Sequence, residues 1–129
     1  KHFVYGFEKL DVWHDARQLT QDVYIISRSF PEEEKFGLVS QVRRAVVSVS
    51  SNLAEGSGRT GNKDQAHFTQ LAYGSLMEVT NLLILASDLG YISNNEYDQL
   101  RAKIKKMSNR LNALRKSQLS RSPNKPIIK

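Results

Sequence analysis

Four stretches of apolar residues recur at alternating steps of three and four, and a Pro or Gly closes each of the first three. This pattern constrains the fold more than any other feature of the chain. Val12, Ala16, Leu19, Val23, Ile26 and Phe30 fall on one stripe of a predicted helix from Asp11 to Phe30, which Pro31 ends. The acidic turn Glu32-Glu33-Glu34 leads to a second stripe of Val39, Val42, Val46, Val49 and Leu53, stopped by Gly56, Gly58 and Gly61. Asn62 and Gln65 read as a capping pair that opens the third and longest segment, which runs to Gly90. Ser93 with Glu96 forms a capping box for the fourth, where Tyr97, Leu100, Ile104, Met107, Leu111 and Leu114 share a face. No segment reads as a strand.

Amphipathic helices joined by short loops bury their stripes against one another, so the expected fold is all-α, an antiparallel up-down-up-down four-helix bundle. With 129 residues, 40% of them hydrophobic, the chain suits one core. The expected organisation is an N-terminal extension over residues 1–10, the bundle over 11–119, and a basic, disordered tail over 120–129. The third segment carries two stripes. Ala72, Leu76, Val79, Leu83 and Ala86 form one; Leu71, Glu78, Leu82, Leu85 and Leu89 form the other. A bundle core needs one stripe, so the surplus fits either a central helix or a contact with another subunit, and self-association is the favoured expectation.

Several chemistries lack their residues. With 0 Cys there is no disulfide, thiolate zinc site, iron–sulfur cluster or cysteine nucleophile, which fits a reducing compartment. No apolar run approaches the roughly 18 residues of a membrane span, so a cytoplasmic protein without a membrane partner is expected. Gly56-Ser57-Gly58-Arg59-Thr60-Gly61 matches G-x-G-x-x-G, but Ser51 to Glu55 separates it from the β-branched run before it, and no second strand follows. A phosphate loop fails as well, because Asn62 occupies the lysine position; a glycine-rich helix cap is the simpler reading. His2, His14 and His67 are scattered, and Asp64 with His67 is a single imperfect match to the Glu-x-x-His pairs of di-iron bundles. The expectation is no enzyme, no cofactor and no metal.

Charge is unevenly distributed. Residues 1–100 hold 9 Lys/Arg and 13 Asp/Glu, whereas residues 101–129 hold 10 Lys/Arg and no acid, which together give the net +6. On the fourth helix Lys103, Lys106 and Arg110 fall on one flank; Arg101, Lys105, Arg115 and Lys116 fall largely on the other. Such a helix fits a polyanionic partner or a solvated face. Residues 101–129 contain no Phe, Trp or Tyr, so binding through them is expected to be dominated by phosphate contacts, salt-sensitive and weakly sequence-selective. On the second helix Arg44, Ser48, Asn52, Glu55 and Arg59 form a polar stripe whose mixed signs fit a subunit contact, a partly buried ion-pair network or solvent.

Three blocks carry a resemblance: Phe30-Pro31-x-x-Glu34-x-Phe36-Gly37-Leu38, Gln41-Val42-Arg43-Arg44-Ala45 continuing to Asn52-Leu53-Ala54-Glu55-Gly56, and Ala72-Tyr73-Gly74-Ser75-Leu76-Met77-Glu78. Over roughly Phe7 to Leu119 the chain resembles the bacterial four-helix bundle family encoded in intervening sequences of large-subunit ribosomal RNA genes. Its distant relatives include the accessory variability determinants of diversity-generating retroelements. The resemblance implies a ring-like homopentamer without established catalytic activity, acting with RNA, DNA or a nucleic-acid enzyme. Its motif residues here are Arg43, Arg44, Asn52, Glu55, Gly56, Arg59, Gly74, Ser75 and Glu78; the arginines suit packing or a polyanion, and Gly74 and Ser75 suit close helix approach. Two functions stand side by side. One is an oligomeric bundle that binds nucleic acid through its basic helix, and the other is a scaffold docking a nucleic-acid-processing protein without touching nucleic acid itself.

Overall fold

In a computed structural model, residues 2–121 are described, and all regular structure among them is helical. A single 3-10 turn, Gly6–Lys9, precedes α1 (Asp11–Ser27); a second, Glu32–Glu34, precedes α2 (Leu38–Ser57), which is followed by α3 (Asn62–Asp88) and α4 (Asn94–Ser120). Each helix packs on its neighbours in sequence, and α1 also packs on α4, which closes a four-helix arrangement around one core. Val12, Leu19, Val23, Val42, Val46, Val49, Leu76, Leu83, Ile104, Met107 and Leu111 fill that core, so all four apolar stripes point inward. Most of the tail assigned to residues 120–129 lies outside the described residues; Ser120 is still helical, and the Arg121 guanidinium donates to Gln65 Oε1 at 2.9 Å.

The helix ends differ in part from the sequence reading. Rather than extending to Phe30, α1 stops at Ser27. The position before a proline disfavours helical backbone, and Ser27 and Ser29 turn their hydroxyls onto the carbonyls of Tyr24 and Ile26. Phe30 nevertheless reaches the core from the loop and sits 5.5 Å from the Tyr91 ring. Asn62 and Gln65 do not cap α3, whose N-cap is Gly61 without a side-chain bond. The Asn62 amide instead donates to the Arg121 carbonyl and fastens the α2–α3 turn to the end of α4, while the Gln65 amide donates to the Arg59 carbonyl within that turn, each at 2.7 Å. The Ser93–Glu96 box forms as expected.

Glycine roles are redistributed as well. The backbone at Gly58, which follows α2, is right-handed, and Gly56 lies inside the helix, so neither supplies a left-handed cap. Gly90 does, with φ 78°: the Gly90 N–H donates to Ser87 O and the Tyr91 N–H to Ala86 O, and these two bonds close α3. Gly56 instead lies where α3 crowds α2, and an added Cβ would lie 2.6 Å from Phe68 Cβ. At Gly74 an added Cβ would meet nothing within 4 Å, so the close approach expected there is not made within this chain.

Candidate nucleic-acid interface

The basic residues of α4 divide along the two flanks that helical periodicity assigns them, and the flanks have different surroundings. Toward α1, Lys103 Nζ meets Asp22 Oδ2 at 2.8 Å and Arg110 Nη1 meets Asp15 Oδ2 at 2.5 Å. Both carboxylates are more enclosed than the cations that reach them, so these pairs fasten α4 to α1. Lys106, on the same side, is exposed and makes no salt bridge among the described residues.

Toward α3 the cations meet no acid. Arg101 and Lys105 border a groove of about 490 Å³ together with Tyr73, Met77 and Thr80 of α3 and Ala102, Ile104 and Ser108 of α4. Arg115 borders a second groove with Thr69, Gln70, Leu111 and Asn112, and Tyr73 lines both. The Arg101 guanidinium donates to Tyr97 Oη at 2.6 Å, which fixes it at the groove edge. Lys105, Arg115 and Lys116 are exposed and form no salt bridge among the described residues. Residues 101–129 alone do not reveal the aromatic wall, because Tyr73 comes from α3. Its signal lies in the Ala72-Tyr73-Gly74-Ser75 block, where Tyr73 directly follows a core-stripe residue.

The motif residues of α2 and α3 have mostly structural work. Arg43 lies over the Tyr24 ring at 4.6 Å and donates to Ser27 Oγ at 2.9 Å and Tyr24 O at 3.2 Å, binding α2 to the end of α1. Asn52 donates to the Ser48 carbonyl at 2.9 Å, and the Ser48 hydroxyl is 2.9 Å from that of Ser75, so a polar ladder joins α2 to α3. Arg59 lies over Phe68 and pairs with Glu55 at 3.5 Å and Asp64 at 3.8 Å, clamping the α2–α3 turn. Arg44 and Glu78 stand on the outer face, outside the salt bridges of the described residues. The ion-pair stripe therefore forms at its Glu55–Arg59 end and not at Arg44.

The glycine-rich run Gly56 to Gly61 joins two helices, which removes the strand that a dinucleotide site requires. His14 Nε2 contacts Glu8 O at 2.6 Å, and His67 packs edge-on to Phe68. Among the described residues no three His, Cys, Asp or Glu side chains gather where they could hold a metal ion. None of the described helices is long and apolar enough to cross a membrane.

Comparison with known proteins agrees with this architecture. The family model for 23S rRNA-intervening sequence proteins matches residues 8–113. The chain belongs to that family. Among solved structures, a protein of unknown function from the S23 ribosomal protein family of Bacteroides thetaiotaomicron superposes with a TM-score of 0.73 at 18% identity, covering 81% of this chain and 98% of that one. At that identity the likeness concerns the fold alone. No curated protein matches the chain. In this member of the intervening sequence family, Arg43, Asn52, Arg59 and Ser75 tie the helices together, whereas Arg44 and Glu78 face outward, and α4 presents Arg101, Lys105, Lys106, Arg115 and Lys116 as exposed cations outside the salt bridges of the described residues.

Proposed function

We propose that this intervening sequence protein is a non-enzymatic homo-oligomer that binds RNA or DNA through phosphate contacts from α4. One observation carries the reading: the exposed cations Arg101, Lys105 and Arg115 line two α3–α4 grooves whose walls hold no carboxylate, whereas the α1–α4 side of the same helix holds Asp15, Asp22 and Glu96. A helix needing charge only for solubility gains nothing from this segregation. A phosphate backbone gains a continuous positive track.

Self-association is supported by the outer face of α3, where Leu71 and Leu85 are each 41% exposed and Leu89 is 56% exposed. Of the leucines in the second stripe only Leu82 is buried. Gly74 lies between these leucines with open space above it, which suits a backbone that another subunit approaches closely. The family resemblance supplies the stoichiometry of five; a ring then repeats the α4 track around its axis.

Light scattering at two salt concentrations, followed by nucleic-acid titration of the same sample, tests both parts. The expected result is a salt-resistant oligomer near five times 14.7 kDa that binds nucleic acid with an affinity falling steeply as salt rises. A stable monomer refutes the assembly. An oligomer that binds no nucleic acid refutes the phosphate-binding role and leaves the docking of a protein partner.

A further inference from the structure

We propose that the α3–α4 groove is a base-stacking site for an unpaired nucleic-acid strand, with Tyr73 as its platform. This rests on the phosphate-binding reading above and narrows it from nucleic acid in general to single strands. Phosphate contacts alone do not distinguish a duplex from a single strand, because both present the same backbone charge. The groove adds what a duplex cannot use. Tyr73, Met77, Ala102 and Ile104 give it an apolar wall, and a base can lie against that wall only after leaving its stack.

The edges are polar in a useful way. Thr80 and Ser108 donate their hydroxyl protons to the carbonyls of Leu76 and Lys105, both at 2.8 Å, which leaves oxygen lone pairs free to accept from a base. The Tyr73 hydroxyl and the side-chain amides of Gln70 and Asn112 make no hydrogen bond to the described residues, so they are available to a ligand along both grooves. Arg101 and Lys105 stand at one end and Arg115 at the other, about 21 Å apart along α4 from Arg101 to Arg115 at the helical rise. That span accommodates a strand of a few nucleotides. Charge complementarity commits the groove to this occupant: three cations line the two grooves and no carboxylate does.

The test measures fluorescence anisotropy of labelled oligo-uridylate and oligo-thymidylate, each about 20 nucleotides, against a duplex of equal length at one fixed salt concentration. The single strands are expected to bind more tightly than the duplex. Tyr73→Ala should weaken single-strand binding by about 5- to 150-fold, the range for losing one stacked base, and leave duplex binding unchanged. Tyr73→Phe keeps the ring and should retain the preference. Met77→Ser, at a more exposed wall position, provides a second, uncharged probe whose folding does not depend on filling the Tyr73 site; it should also weaken single-strand binding selectively. Uridylate and thymidylate arms that differ would assign the groove to RNA or to DNA. Equal affinity for duplex and single strand, or equal losses for both in the folded Met77→Ser variant, overturns the groove assignment and leaves phosphate binding standing. Failure to bind any of the three overturns both.

Discussion

Gly56 shows how much a single hydrogen can decide. With Phe68 Cβ at 2.6 Å from the place where its own Cβ would be, any larger residue must push α3 away from α2. Gly56→Ala is therefore expected to destabilise the protein by about 1–3 kcal/mol through overpacking, despite alanine's better helix propensity. Urea denaturation checks the sign; a neutral or stabilising result means the helices separate freely. Tyr91 offers a second test at this scale. Partial burial raises its pKa above the ordinary 10.0, aided by its hydrogen bond to Glu34 at 3.0 Å and by the charges of Glu34 and Glu33. The folded state thus holds the phenol proton more tightly than the unfolded chain does. Its contribution to stability is complete below the ordinary value of 10.0 and is lost as pH rises through the raised value. Denaturation curves should show stability falling on that alkaline side, and Tyr91→Phe should remove part of the slope. Neither role was legible from sequence. Gly56 stands beside two loop glycines and reads like them, and the partner of Tyr91 lies 57 residues away in the chain.

At the scale of elements, α4 separates binding from stability. Lys103 and Arg110 hold carboxylates of α1, so charge reversal there should lower stability, with each part-exposed pair worth on the order of 1 kcal/mol or less. Charge reversal of Lys105 and Arg115 should leave the melting temperature nearly unchanged while weakening nucleic-acid binding. It should also reduce the salt slope by about one for each phosphate that the protein no longer neutralises. Calorimetry and salt-dependent titration on the two double variants separate these effects. If the Lys103/Arg110 pair lowers the salt slope more, the binding face is turned toward α1 instead. The helices were legible because each apolar stripe has helical period and because Ser93 and Glu96 cap locally. The division of labour between the flanks was only half legible. Periodicity assigns each cation to a side, but Asp15 and Asp22 become partners only when α1 folds against α4 in antiparallel register. The same limit hid Tyr73, since a groove has two walls and α4 contributes only one.

For the whole molecule, Gly74 carries opposite predictions for folding and assembly. Within one chain its Cβ position is empty, and its helix continues through it without positive φ. Replacing it by alanine should therefore stabilise the isolated fold by roughly 0.5–1 kcal/mol, the usual gain for removing a glycine from a helix interior. If subunits approach across the leucines flanking it, the same methyl group intrudes on the contact and association weakens. Leu71→Lys and Leu85→Lys should weaken association too, since each places a charge on the exposed stripe, yet they leave the core untouched. Sedimentation of Gly74→Ala over a concentration series, paired with its denaturation in dilute solution, measures both signs on one protein. A variant that is more stable and less associated identifies this face as the subunit contact. A variant that is more stable and equally associated moves the contact elsewhere on the bundle, and the exposed leucines of α3 then await a different partner.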